Sequence, residues 1–162
     1  MPKQNLANSL RVYTKVELEK IIFKGYGVLR KEQPLLLTKA FNVNERTIAA
    51  ELSSIISKDI ENYEVNAEYN RMTDENGVQI PKRIYLNHND KDQSLAYPDI
   101  IIHHQKDGKH NLLVIEIKMQ WKNDGKEDDL KKIKAYMNEL NYSYGLYLEL
   151  GEDKIKEMLW FQ

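Results

Sequence analysis

In YPDIIIHHQKDGKHNLLVIEIKMQ, residues 97–120, three charged side chains interrupt two apolar runs: Asp99 opens the first, and Glu116 and Lys118 end the second. Charged groups are seldom removed from water without a partner, because an isolated carboxylate in apolar surroundings is expensive. Between the runs lies Asp107-Gly108, a dipeptide suited to a two-residue hairpin turn in which both positions need positive φ. With that turn Lys106 faces Lys109, and counting outward Ile102 faces Leu113, Ile100 faces Ile115 and Asp99 faces Glu116. Directly opposed residues project to one face with Cβ atoms about 4.5–5.5 Å apart. Lys118, two positions beyond Glu116, shares that face. Ile100, Ile102, Leu113, Ile115 and Ile117 fill the other.

Two carboxylates at such a distance repel, and one keeps its proton unless a cation sits between them. A hard divalent ion such as Mg2+ relieves the repulsion, taking carboxylate oxygens while retaining water. An adjacent lysine can then orient or help deprotonate a water, or stabilise developing negative charge. Those parts suit attack of water on a phosphodiester. The same residues also fit a plain salt bridge on a solvated sheet face, Lys118 with Glu116 or Asp99. Spacing alone leaves both readings open.

Several elements must hold these residues in place. Ile48, Leu52, Ile55 and Ile56 recur at helical spacing and predict a helix over 44–58. An earlier helix, 16–32, is built from good helix formers but opposed by Gly25 and Gly27. Pro34 suits the first turn of a short helix over 34–41. Tyr63, Val65, Ala67 and Tyr69 alternate with Glu64, Asn66, Glu68 and Asn70, which predicts a strand over 63–71. The polar stretch 73–96 reads as a long loop with a short strand at 83–86; loops of that length are usually functional or disordered. A helix over 126–140, a strand over 142–150 and a last strand over 157–162 complete the chain. The connection from 112–119 through that helix to 143–149 is expected to be parallel and right-handed. Residues 1–43 read as a helical extension and 44–162 as the core, together one compact domain.

The 162 residues, 41% hydrophobic and 30% charged, exclude a disordered chain. No apolar run approaches the ~20 residues needed to span a bilayer, so no membrane partner is expected. The polar start MPKQNLANS lacks the apolar core of a secretory signal. The absence of cysteine removes disulfides, thiolate zinc sites and a cysteine nucleophile, and makes a reducing cytoplasm the expected location. A formal charge of −1 gives no global attraction to nucleic acid, which must then be met by local basic patches.

Pro98-Asp99, a hairpin, and Glu116-Ile117-Lys118 resemble the signature of the PD-(D/E)XK nuclease superfamily, with a helix before the hairpin and a helix and strand after it. The resemblance covers about residues 44–150. It implies an α/β, restriction-endonuclease-like fold: a mixed central sheet flanked by helices, here preceded by an N-terminal helical segment. It further implies that Asp99 and Glu116 bind Mg2+ or Mn2+, with the Ile117 carbonyl as a further ligand, and that Lys118 is the catalytic lysine. Relatives often add an acidic residue from the first core helix, for which Glu45 and Glu51 are candidates. Glu45 falls within the apolar face centred between Ile48 and Leu52 and is preferred, although Asn42-Val43-Asn44-Glu45 also reads as a capping box.

Weaker expectations surround that centre. Glu68 and Arg71 border the active face or contact phosphate, or else form a polar edge. Tyr136 is similar to the tyrosine of a glutamine-x-x-x-tyrosine motif in some relatives, but Lys132 stands where the glutamine would be. Lys122, Lys126, Lys131, Lys132 and Lys134 offer phosphate contacts, offset by Asp124, Glu127, Asp128 and Asp129 on what reads as a solvated helix face. His103 and His104 are adjacent in a strand and so point to opposite faces, which argues against a zinc pair. The expected activity is metal-dependent hydrolysis of nucleic acid, DNA ahead of RNA, with a homodimer or a partner protein left open. The alternatives are a catalytically inactive domain of this fold that binds nucleic acid or protein, and a purely structural module.

Overall fold

The computed structural model describes residues 10–68, 71–73, 76–81, 83–84, 94–95, 97–106, 109–122 and 124–162. Thr14 and Glu17 open α1 (Lys15–Glu32) as a capping box, each side chain accepting from the other's backbone N–H. Leu18, Ile22, Tyr26 and Leu29 form its buried stripe. The helix runs through both glycines that oppose it in sequence. At Gly25 a Cβ would sit 3.1 Å from Ile56 and 3.3 Å from Leu52. Glycine weakens a helix by about 1 kcal/mol, and here its missing side chain admits α2 (Glu45–Ser57). Between the two helices Pro34–Leu37 makes a single 3-10 turn rather than the longer helix expected.

The strands are β1 (Glu64–Ala67), β2 (Arg71–Thr73), β3 (Gln79–Pro81), β4 (Arg83–Ile84), β5 (Ser94–Leu95), β6 (Ile100–His103), β7 (Asn111–Met119), β8 (Tyr144–Leu150) and β9 (Ile155–Phe161). Five of them form a mixed sheet in the order β1-β6-β7-β8-β9. All its pairings are antiparallel except β7 with β8, which are parallel and joined through α3 (Lys126–Leu140). The pairs β2–β3 and β4–β5 are separate ribbons. The single strand expected over 63–71 therefore stops early: Glu68 adopts a left-handed backbone, φ 51°, which ends the extended run. Tyr69 and Asn70 lie outside the described residues. Part of the expected loop 73–96 is paired strand, and the described portion of its short strand is β4.

Side-chain alternation splits the core in two. Ile100, Ile102, Leu113, Ile115, Ile117, Leu146 and Leu148 join α1 and α2 on one side. Ile101, Val114 and Tyr147 join Ile133, Tyr136 and Leu140 of α3 on the other. Helices thus flank both faces, and β7 is buried along nearly its whole length. Among the described residues no helix is long and apolar enough to cross a membrane.

The expected register holds at Ile100↔Ile115 and Ile102↔Leu113, then shifts by one, so that His103 faces Asn111. Leu112 is the extra residue of this bulge and turns into the same cluster as Leu113. Counting from a two-residue turn therefore fails near the tip, where Asp107 and Gly108 lie outside the described residues. It succeeds where the acidic residues are.

Candidate active site

Asp99 immediately precedes β6 and Glu116 follows Ile115 in β7, so the Ile100↔Ile115 pairing sets the two carboxylates side by side. Backbone contacts fix Asp99 from two directions. Its Oδ2 accepts from the Ile117 N–H at 2.7 Å, and its carbonyl accepts from the Glu68 N–H at 3.1 Å. Asp99 lies close enough to Glu116 for its charge to raise that carboxyl. Glu116 is 3% exposed, and its Oε1 has no hydrogen-bond partner.

Burial pushes both carboxyls up, Asp99 to about 6. Glu116 is driven well above the carboxylate range, first by burial and then by the charge of Asp99. Lys132 opposes the rise at both, while Asp129 adds to it. Tyr136 completes this side: burial, and after it the charges of Glu116 and Asp99, raise its phenol, which also hydrogen-bonds to Glu116. Both carboxyls are thus pushed toward protonation, as opposed carboxylates without a cation between them are.

The face carrying Glu116 and Lys118 is covered by α3, so the expectation of a solvated sheet face is corrected. Lys118 pairs neither with Glu116 nor with Asp99. Its Nζ lies 3.1 Å from Oδ2 of Asp129, both side chains largely buried. Burial lowers the Lys118 ammonium pKa, but Asp129, Glu45 and Asp124 outweigh that and leave it raised. Gly125 makes room: it caps α3 with φ 79°, and a Cβ there would lie 3.3 Å from Lys118 Nζ.

Asp129 is the residue that sequence reading missed. It was assigned to a solvated helix face with Asp124, Glu127 and Asp128, yet it is 8% exposed. The signal was present, because Asp129, Ile133, Tyr136 and Leu140 recur at helical spacing on the buried stripe of α3.

The other candidates divide into those that reach the centre and those that do not. Lys132 and Tyr136 on α3 act electrostatically on the carboxylate pair. Glu45 is the first residue of α2, not the third of a capping box, because Asn44 is the cap and accepts from the Thr47 N–H. Glu45 pairs with Lys122 at 2.9 Å, and its charge bears on Lys118. Glu51 accepts from Gln33 Nε2 at 2.8 Å. Ile117 touches Asp99 through its N–H. Glu68 supports Asp99 with its backbone while its carboxylate pairs with Arg46 at 2.8 Å. Arg71 lies in β2, a ribbon outside the main sheet. Lys126 pairs with Glu157, and Lys134 lies over the Phe161 ring.

Among the described residues no group of three or more His, Cys, Asp or Glu side chains is placed to hold a metal ion. Magnesium does not require one, since one or two carboxylates with retained water suffice. The orphaned Glu116 oxygen and two buried carboxyls pushed toward protonation fit such a cation. No family model, curated protein or solved structure matches this chain, so the arrangement of Asp99, Glu116 and their neighbours must carry the functional reading by itself.

Proposed function

We propose that this chain is a metal-dependent nuclease of the PD-(D/E)XK kind, acting in the cytoplasm on phosphodiester bonds of nucleic acid, DNA ahead of RNA. The observation that carries the reading is the buried Asp99–Glu116 pair, pushed toward protonation with one Glu116 oxygen unpartnered. Asp99 and Glu116 would hold Mg2+ or Mn2+, joined by the Ile117 carbonyl. When bound, such an ion would supply Lewis-acid activation of water and neutralise phosphate charge. Lys118 orients water or meets negative charge as it develops, and Lys132 supplies a second ammonium beside the pair. Tyr136 holds Glu116 by its hydroxyl and keeps water from that side. Lys122 and the exposed lysines of α3 are in reach of a phosphate backbone as positioning contacts.

A second reading, a nucleic-acid- or protein-binding module without catalysis, is favoured by one observation. Lys118 is held by Asp129 instead of standing free beside Glu116. The two are separated by offering purified protein linear, branched and single-stranded DNA, and RNA, with Mg2+ or Mn2+. Cleavage that stops on chelation, with Lys118→Ala losing cleavage while retaining metal, supports the nuclease. No cleavage of any of these, together with no calorimetric metal binding that Asp99→Ala removes, overturns it in favour of the module.

A further inference from the structure

We infer that Asp129 is a positioning residue of this site, holding the Lys118 ammonium from α3 at the border of the Asp99–Glu116 pair. The inference rests on the nuclease reading and adds a residue to it. A carboxylate on the buried stripe of a helix is costly without a partner, and Asp129 has an ion-pair partner, at salt-bridge distance but outside hydrogen-bond geometry. Lys118 Nζ lies 3.1 Å from its Oδ2, at 15% and 11% side-chain exposure. Lys132 is 3.8 Å from the other oxygen but 40% exposed, and ion pairs open to water contribute little. The Lys118 contact is the one that counts.

The site prepared for this lysine is electrostatically awkward. Its ammonium lies against Gly125, the cap residue of α3, where the helix presents the positive end of its dipole. Without an anion there an ammonium is repelled. Asp129, one turn into α3, supplies that anion, and the left-handed glycine supplies the space. Asp129 also acts on both carboxylates of the pair. An ion pair that served only to fasten α3 to the sheet would have no need of that proximity.

Asp129→Asn keeps shape and an acceptor oxygen while removing the charge, so Lys118 loses its fixed place. Misplacing a catalytic group by about 1 Å is worth on the order of 100-fold in rate. On the panel nucleic acid that the wild type cuts fastest, Asp129→Asn should lower kcat about 100-fold and leave KM within about twofold. In a Lys118→Met background the same substitution should lower kcat no further, because it acts through the missing lysine. Wild-type kcat in Asp129→Asn, or losses that simply add in the double variant, overturns the inference while the nuclease reading stands. If Asp129→Asn does not fold, Asp129→Glu, which displaces the carboxylate by one methylene, is read in its place. Unchanged kcat there overturns the inference equally. A wild type that cuts nothing overturns both together.

Discussion

Two acidic pairs stand opposed on the α3 side of the same sheet, and the protein treats them differently. Glu149 of β8 faces Glu157 of β9. Lys126 from α3 lies 2.9 Å from Glu157, and its ammonium is raised by the hydrogen bond and charge of Glu157 and by the charge of Glu149. That pair has its cation built in. Asp99 and Glu116 are more deeply buried, yet no lysine forms an ion pair with either among the described residues; Lys132 acts on them only through its field. Lys118, two residues beyond Glu116, is instead held by Asp129. Opposition of charges alone is therefore ordinary in this sheet. What marks the Asp99–Glu116 pair is burial without an ion-paired lysine among the described residues, which pushes both carboxyls toward protonation.

The largest expected effect separates the pairs by function. Asp99→Ala should abolish both Mn2+ binding, measured by calorimetry, and cleavage, to background. Glu157→Gln should leave both at wild-type levels, because Lys126 already satisfies that pair. Equal loss from the two substitutions would break the comparison, since metal would then depend on acidity of the whole face rather than on the buried pair.

A smaller effect appears in stability. The folded Asp99 carboxyl is raised from 3.8 to about 6, and Glu116 is raised well above its ordinary value. The folded pair then binds more protons than the unfolded chain. Its contribution is complete below about pH 4 and is lost as pH rises through 6 and beyond. For Asp99 alone the shift amounts to at most about 3 kcal/mol. Glu116→Gln removes the second charge from the pair. By removing the carboxyl that burial and the charge of Asp99 raise, it should flatten the decline and raise Tm at pH 8 above that of the wild type. In the wild type Mg2+ should raise Tm more at pH 8 than at pH 5, where protons compete for the same oxygens. A pH-independent Mg2+ effect would mean that metal binds elsewhere.

The half of this comparison that is legible in the sequence is the half set by strand alternation. Ile100↔Ile115 and Ile102↔Leu113 are the pairs that counting from a two-residue turn gives, and they carry Asp99 and Glu116 to one face because the bulge at Leu112 offsets the one-residue shift at the hairpin tip. The bulge at Leu112 was invisible, because both Leu112 and Leu113 are apolar and either registers as core. The covering of the Glu116 face was misread for a related reason. Its cover, α3, carries so many charges that Asp129 passed as one more solvated carboxylate, although its spacing from Ile133 and Tyr136 marked it as buried. Gly25 misled in the opposite sense: intrinsic propensity counted it against α1, while packing against Leu52 and Ile56 required it. At Gly25 and at Asp129 a local preference gave way to a contact with another element. No spacing rule within either element specifies the partnership of Lys118 with Asp129.

The smallest expected effect tests whether a missing cation is by itself enough to make a metal site. Lys126→Met leaves Glu149 opposite Glu157 with its built-in ammonium gone. Like charges directly opposed across strands destabilise, so Tm should fall slightly at neutral pH. The loss should vanish in acid, where carboxylates are neutral. It should also shrink in salt, because exposed charges are screened within about 10 Å at 0.1 M, and Glu157→Gln should restore Tm by removing the repulsion. Calorimetry on Lys126→Met should still find a single Mn2+ site, and Asp99→Ala should still remove it. The Glu157 side chain is 33% exposed, so water can relieve the repulsion that burial forbids at Glu116. A second Mn2+ appearing in Lys126→Met would sharpen the comparison the other way, making the absence of a lysine, rather than the depth of the pair, the feature that creates the site.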